Sequence, residues 1–549
     1  MYTCHLSRNG LHQKQADLKL AACAQYREFD GSGNNETNPQ WGAALEPLLR
    51  CAPIAYADNI SEPAERGTAN PNPREISNLV VAEGQKRPSK QRLSDITWLF
   101  GQFLDHEIDL TRDTGAAFNI EVSAGDPSLP AGGTIPLNRS NFVEGTGTDV
   151  GNPRQQINEI SSFIDATNVY GASKERADAL RTFKNGLLRT EYGCDGPLPP
   201  YNYHGMPNAA LHHNVPHEMY LCGDIRSNEN AALTSMHTLW IREHNRLARE
   251  LAQMYSCWND EKLFQEARRV VIALMQHITF NEYLPALFGG AEAIPAYQGY
   301  NDGVNAAICN EFAACLYRLG HSMVSGQLRY EKPLSKCGGH GPVDVHYVQL
   351  DSIYFKPKYL KEHGIEGLLL GASHQVQHEI DVYIVEELRS RLFGPHAPGI
   401  VLDLAAINIQ RGRDHGLPDY NTVRMAYGLA SKPTIDSITS DVEVRARLKA
   451  AYGVTATPDD IDPWIGALAE EHVDSDTAVG ELLLTALREQ FLRLRDGDRF
   501  WFEIDASMPE WRKQEVRKTK LSHVIVRNTN LKLGTSTGFV REDVFHVPE

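Results

Sequence analysis

No stretch of the sequence approaches the roughly 18 to 20 consecutive apolar residues that a bilayer-spanning helix requires, so no membrane span is expected. Basic residues are in the minority: 54 Lys and Arg stand against 70 Asp and Glu, a formal net charge of −16. That balance excludes nucleic acid as a partner, because phosphate backbones are gripped by clustered Lys and Arg. Small substrates are expected instead. Cysteine is sparse and odd in number, nine in 549 residues, which rules out a dense, fully paired disulfide framework. None of the nine sits in a CxxC pair or a CxxCH motif, so neither structural zinc nor c-type haem is expected. Cys194 and Cys222, which flank a loop rich in Pro, His and Asn, are one candidate bridge. The opening MYTCHLSRNGLHQKQADLKLAACAQ lacks the apolar centre of a secretory signal. The expectation is a mature form, another export route or an internal protein.

Strand-like alternation is also scarce, and neither an internal repeat nor a low-complexity linker occurs, so a mainly α protein with long loops is expected. Composition is that of an ordinary globular protein, 42% hydrophobic and 23% charged. The length allows several domains or one large core. Residues 27 to 75 are rich in Gly, Asn and Pro and read as an irregular arm wrapped on a body. From Ser94, a plausible N-cap, Ile96, Leu99, Phe100, Phe103 and Leu104 recur at helical spacing. A loop-rich stretch follows from 111 to 154. Further helices are expected at 174–182, 229–252, 260–280, 308–323 and 378–392.

Four clusters are candidates for chemistry. In GQFLDHEID, Gln102, Asp105 and His106 share one helix face, where unpaired burial would cost a few kcal/mol each, so they need partners or a cavity. In GDIRSNENAALTSMHTLWIREHNRLARE, Arg226 and Glu229 stand three apart where a loop enters the long helix. The Arg could stabilise developing negative charge, or simply be solvated beside a helix cap. On that helix His237 and His244 read as packing residues. LYRLGHSMV offers His321, and INIQRGRDHGLPDYN is dense in Asn, Arg and Asp. Taken singly, each is also compatible with a structural hydrogen-bond network.

Taken together and in order, GQFLDHEID, SSFIDATNVYG, GDIRSNENAALTSMHTLWIREHNRL, YRLGH and INIQRGRDHGLPDYN resemble the successive signatures of the animal-type haem peroxidase superfamily. That superfamily includes myeloperoxidase, lactoperoxidase, peroxidasin and bacterial relatives. The resemblance runs from about YREFDGSGNN to EVRKTKLSHVIVRNTN. It implies a large single-core, mainly α haem peroxidase domain over 27–549, preceded by an extension at 1–26.

The resemblance also implies roles. His321 is the expected iron ligand, with Asn408 accepting its other ring N–H. His106 and Arg226 are the expected pair that activates hydrogen peroxide, with Gln102 holding water beside them. Asp105 and Glu229 match the carboxylates that form ester bonds to the haem. Asn230 stands where the triply linked enzymes carry a Met, so two links are expected. Bromide, iodide, thiocyanate and phenols are then likelier electron donors than chloride. Arg318, Arg411 and Asp109 match positions that hold the haem propionates.

SSFIDAT is similar to the family's calcium loop, with oxygens from Ser161, Phe163, Asp165 and Thr167, and with Glu107 where the family has Asp. Gly33 replaces a family Cys, so one family disulfide is missing. Two alternatives are weighed. A fatty-acid dioxygenase of the same superfamily needs a Tyr three residues before the iron ligand, where this chain has Arg318. A non-catalytic adhesion or matrix module would be expected to lose His106, Arg226 or His321. Relatives are mostly secreted, so an extracellular site of action is expected, with Asn35, Asn59 and Asn138 in glycan-acceptor triplets.

Overall fold

The computed structural model describes residues 25–84, 87–129, 132–211, 214–333, 343–393, 402–533 and 540–547. The proposed extension at 1–26 therefore lies almost wholly outside the described residues. Helices dominate, and the named strands form five separate two-stranded sheets among the described residues. The mainly α architecture with long loops is as expected.

Helix α1 (Asp95–Ile108) begins where Ser94, in extended conformation, accepts a hydrogen bond from the Ile96 N–H. Its apolar stripe of Ile96, Leu99, Phe100, Phe103 and Leu104 is completely buried, and the helix stops as Asp109 turns extended. Helix α2 (Ala231–Met254) starts two residues later than expected because Asn230 is its N-cap, accepting from Leu233 N–H at 2.8 Å. Helix α3 (Asp260–Ile278) is capped by Asn259 and carries Asp260 and Glu261 in its first turn, which complements the positive end of the helix dipole. It widens into a π-helical turn over Thr279–Tyr283 just before Pro285, whose ring and missing N–H disrupt the regular register. Helices α1, α2 and α3 pack in sequence to form the centre of the core.

Two expected helices differ. The 308–323 segment is helical only in pieces, Asn310–Ala314, Leu316–Leu319 and α4 (Gly320–Met323), because Cys315 adopts φ −141°, ψ −72° and breaks the run. That break turns Arg318 and His321 toward α1. Over 378–392 only Glu386–Arg389 is helical. The preceding residues are mostly buried chain that bridges Ala82 and Pro88, so burial on several sides imitates a helical period.

One long hairpin is present that no strand-like alternation in the sequence announces. Strand β1 (Gln327–Pro333) pairs antiparallel with β2 (Val343–Gln349), Leu328 opposite Val348 and Tyr330 opposite His346. Helix α5 (Glu366–His374) lies against β1 so closely that a Cβ on Gly371 would meet the Arg329 carbonyl oxygen at 1.8 Å. Only glycine fits there. Helix α6 (Leu404–Asp414), capped by Asp403, brings the Asn- and Arg-rich motif to the opposite side of the core from α1.

Cys194 sits exposed at the turn of a short hairpin, whereas Cys222 is fully buried, and both are free thiols. The candidate bridge between them is therefore not formed.

Candidate active site

A cavity of about 320 Å³ lies between α1 and the loop before α2 on one side, and the broken 316–323 segment and α6 on the other. Gln102, Asp105, His106, Asp109, Arg226, Glu229, Arg318, His321 and Arg411 all line it. Four motifs spread from residue 102 to residue 411 thus meet in one place. Helical spacing of three and four on α1 explains why Gln102, Asp105 and His106 point the same way.

On the α1 wall, His106 is 4% exposed and its Nδ1 has no hydrogen bond. The nearest anion is Asp224, at 3.5 Å. Burial, reinforced by the Arg226 charge, holds the imidazole well below its ordinary value. His106 is therefore neutral and able to accept a proton. Arg226 is clamped by Asp224, donating from Nε at 2.9 Å and from Nη2 at 2.9 Å, and it also donates to the Asp109 carbonyl at 2.7 Å. Burial would raise the Asp224 carboxyl, but the Arg226 charge and its hydrogen bonds overcome that and hold it low. Asp224 lies between His106 and Arg226 and is not among the residues expected from the sequence. The available signal was its place two residues before Arg226 in GDIRSNEN.

Three carboxyls on this wall are forced upward. Burial pushes Asp105 to about 6 against the pull of Arg226, which lies 3.9 Å away. Burial likewise pushes Glu229 to about 7. Asp109 is raised by burial and by Asp105, and its Oδ2 is buried without a partner. Gln102 donates to Glu229 at 3.1 Å and accepts from Asn230 at 3.3 Å. Asn230, already committed to capping α2, closes this chain.

On the opposite wall, the Asn408 amide nitrogen lies 2.7 Å from His321 Nδ1, while its Oδ1 accepts from Arg318 at 3.1 Å. The amide thus presents its donor end to the ring, the reverse of the accepting role expected from sequence. Because Arg318 has only donors, it selects this orientation; a half-turn of the amide gives the other. Burial and then Arg318 depress His321 to about 3, so its ring is neutral. Arg411 donates to Asp113 at 3.0 Å, to Asp414 at 3.2 Å and to Ser140 Oγ at 2.7 Å. It belongs to a salt-bridge network as well as to the cavity wall. His237 and His244 point elsewhere, bonded to the Asn168 carbonyl and to Tyr170 with Gly186 respectively.

These residues fit a haem. The cavity has apolar lining from Val324, Leu350, Leu388 and Phe393, two arginines for an anionic edge, and a neutral imidazole whose Nε2 has no protein hydrogen bond among the described residues. His106 and Asp109, each with a buried polar atom that has no hydrogen-bond partner, line the same cavity. An apolar planar body with carboxylates at one edge answers each of these features.

Beneath α1, Ser161 and Thr167 both donate to Asp165. Glu107, fully buried, accepts from the Ala166 and Asn168 N–H groups. Burial and Asp165 raise Glu107 well above its ordinary value. Two buried carboxyls raised in this way, among hydroxyls and carbonyls, form an oxygen-only set that suits calcium. The glycan triplets differ in access: Asn59 is exposed, while Asn35 is 1% exposed and donates to the Asp302 carbonyl at 2.8 Å. Folded protein cannot carry a glycan on Asn35.

The animal haem peroxidase family profile matches residues 26–539. Peroxinectin A of Dictyostelium discoideum is 36% identical over 545 residues, covering 96% of this chain and 97% of that protein. Lactoperoxidase of Mesocricetus auratus is 35% identical over 92% of this chain and 76% of its own length. Among solved structures, peroxidase A from Dictyostelium discoideum superposes with a TM-score of 0.85 at 34% identity, covering 95% of this chain and all of that one. A fatty acid alpha-dioxygenase of Arabidopsis thaliana reaches a TM-score of 0.76 over 96% of this chain and 84% of its own, at 18% identity, a likeness of fold alone. Site and comparisons agree: the chain belongs to the animal haem peroxidase family and is a haem peroxidase.

Proposed function

We propose that this peroxidase reduces hydrogen peroxide at a haem held by His321, and that it oxidises bromide, iodide, thiocyanate and phenols in preference to chloride. The observation that carries the reading is that His106 and Arg226, the latter clamped by Asp224, line one cavity together with His321. When bound, haem supplies the redox-active iron at which peroxide is reduced.

The protein's own groups do the rest. Neutral His106 would take a proton from one oxygen of peroxide at Nε2 and return it to the other, with Asp224 steadying the imidazolium in between. Arg226 offsets the negative charge that develops as the O–O bond weakens. Gln102 orients water beside His106. His321 would hold the haem iron, and a half-turn of the Asn408 amide would then let its oxygen accept from the His321 ring and leave an Arg318 donor for an anionic edge. Arg411 and Asp109 serve the same edge.

Asp105 and Glu229, raised to about 6 and about 7, are the proposed ester partners. Asn230 cannot add a third link and is held as the cap of α2. The preference against chloride rests on that missing link. Ser161, Phe163, Asp165, Thr167 and Glu107 are the proposed calcium ligands and their carboxylate neighbour. Residues 27–549 act as one catalytic unit, with 1–26 an extension. We place the activity outside the cell, in keeping with the exposed triplet at Asn59.

The dioxygenase alternative is disfavoured because Arg318 occupies the position of the required Tyr. Peroxide turnover measured with chloride, bromide, iodide, thiocyanate and a phenol tests the proposal. Bromide and iodide oxidised well above chloride at neutral pH is the expected result; chloride as the best donor would overturn the preference.

A further inference from the structure

Cys51 and Cys309, separated by 258 residues, are brought Sγ to Sγ at 2.6 Å. Their backbones are laid side by side: Leu49 N–H donates to the Ile308 carbonyl at 2.9 Å, and Asn310 N–H to the Leu49 carbonyl at 2.6 Å. The Glu311 carboxylate then accepts from the N–H groups of Cys51 at 3.1 Å and Ala52 at 2.9 Å. The approach of the two sulfurs is thus built into the fold.

A metal fits this cluster poorly. Two thiolates on one tetrahedral zinc, each bonded at roughly 2.3 Å, stand about 3.8 Å apart. Both Glu311 oxygens already serve backbone N–H groups, and no fourth nitrogen, sulfur or carboxylate ligand joins the three among the described residues. A dithiol poised for oxidation remains.

The two thiols are unequal. Cys51 is partly exposed, whereas Cys309 is 2% exposed. The Cys309 contact lowers the Cys51 thiol, with help from Arg493 and the Tyr427 hydroxyl and against burial and Glu311. The Cys51 contact and burial raise Cys309. An accessible, lowered thiol beside a buried partner is the arrangement of an attacking and a resolving cysteine.

We propose that Cys51 and Cys309 are a peroxide-sensitive dithiol, converted by hydrogen peroxide into a disulfide that staples the N-terminal segment to the segment leading into the His321 turn. Cys51 thiolate attacks one peroxide oxygen, the O–O bond breaks, and sulfenic acid and hydroxide form. The Cys309 sulfur then displaces the sulfenic oxygen, which leaves as water with the thiol proton. In sum, two thiols lose two electrons and two protons while one peroxide becomes two waters.

The staple acts next to the active site. Arg50 donates to the His415 carbonyl at 2.9 Å, and Asn310 bonds His415 Nδ1 at 2.6 Å. His415 lines the haem cavity. Joining the neighbours of Arg50 and Asn310 therefore fixes both residues that grip His415, and a thiol-reducing environment releases one of those restraints.

The test is peptide mapping of haem-loaded enzyme, reduced, freed of reductant and treated with a few equivalents of hydrogen peroxide before unfolding in an alkylating agent. The Cys51 and Cys309 peptides should be recovered joined, two hydrogens lighter than the separate thiols, with Cys222 and Cys315 alkylated. Dithiothreitol should restore both thiols and lower the melting midpoint. Cys51→Ser should leave Cys309 alkylated, and Cys309→Ser should leave a trappable sulfenic acid on Cys51. Both thiols still alkylatable after peroxide would overturn the proposal, as would sulfinic acid at Cys51, a link to another cysteine, or stoichiometric zinc in the purified protein. The wild-type mapping decides the point even where a variant fails to fold.

Discussion

Replacing Glu229 by Gln should flatten the pH dependence of folding in haem-free protein. Burial raises this carboxyl from its ordinary 4.5 to about 7. A raised acid contributes no penalty below its unfolded value and loses stability as pH climbs through the folded one. At pH 5 most of that penalty is still absent. By pH 8 the folded state has to ionise a partly buried group, and one pKa unit is worth about 1.4 kcal/mol. Wild type should therefore lose about 2–3 kcal/mol more than Glu229→Gln between pH 5 and pH 8. Gln keeps the acceptor for the Gln102 bond of 3.1 Å, so the comparison isolates the charge. Urea unfolding of both proteins at the two pH values measures it. Parallel pH profiles would refute the claim that burial controls this carboxyl.

His106 is held below its ordinary value, so it stays neutral as pH falls, and the rate of reaction with peroxide should show no inflection near 6.5 when followed by stopped flow from pH 5 to pH 8. Calcium removal should destabilise the fold by exposing the repulsion between Glu107 and Asp165, by about 3 kcal/mol relative to calcium at a hundredfold its Kd, and Glu107→Gln should blunt that effect in thermal melts. After peroxide treatment and acid denaturation, mass spectrometry should find haem retained on peptides containing Asp105 and Glu229. Freely extractable haem would argue against ester formation.

Local signals were legible where one residue controls one element. Ser94 announces α1, and the three- and four-residue spacing of Gln102, Asp105 and His106 places them on one face. The meeting of α1, the Arg226 loop, His321 and α6 was read from motif order, not from any local pattern. What stayed hidden depends on contacts between distant segments. Asp224 is one more acid in a polar loop until its contacts with both His106 and Arg226 are seen. Cys51 and Cys309 are two unremarkable positions until the backbone bridge between Leu49 and Cys309 brings their sulfurs together. The run at 378–392 misled because residues buried from several sides lose the two-residue period of a strand. Asn408 shows a further limit, since Arg318 decides which end of its amide meets His321.

The central claim is that His106, facing His321 across the cavity, is the proton carrier for peroxide reduction. The rate of peroxide-driven oxidation of a phenolic dye, compared between wild type and His106→Ala at equal haem occupancy, tests it most directly. Loss of the carrier should slow turnover by about 10²- to 10⁴-fold while the haem absorption spectrum is retained. Turnover at the wild-type rate would contradict the account.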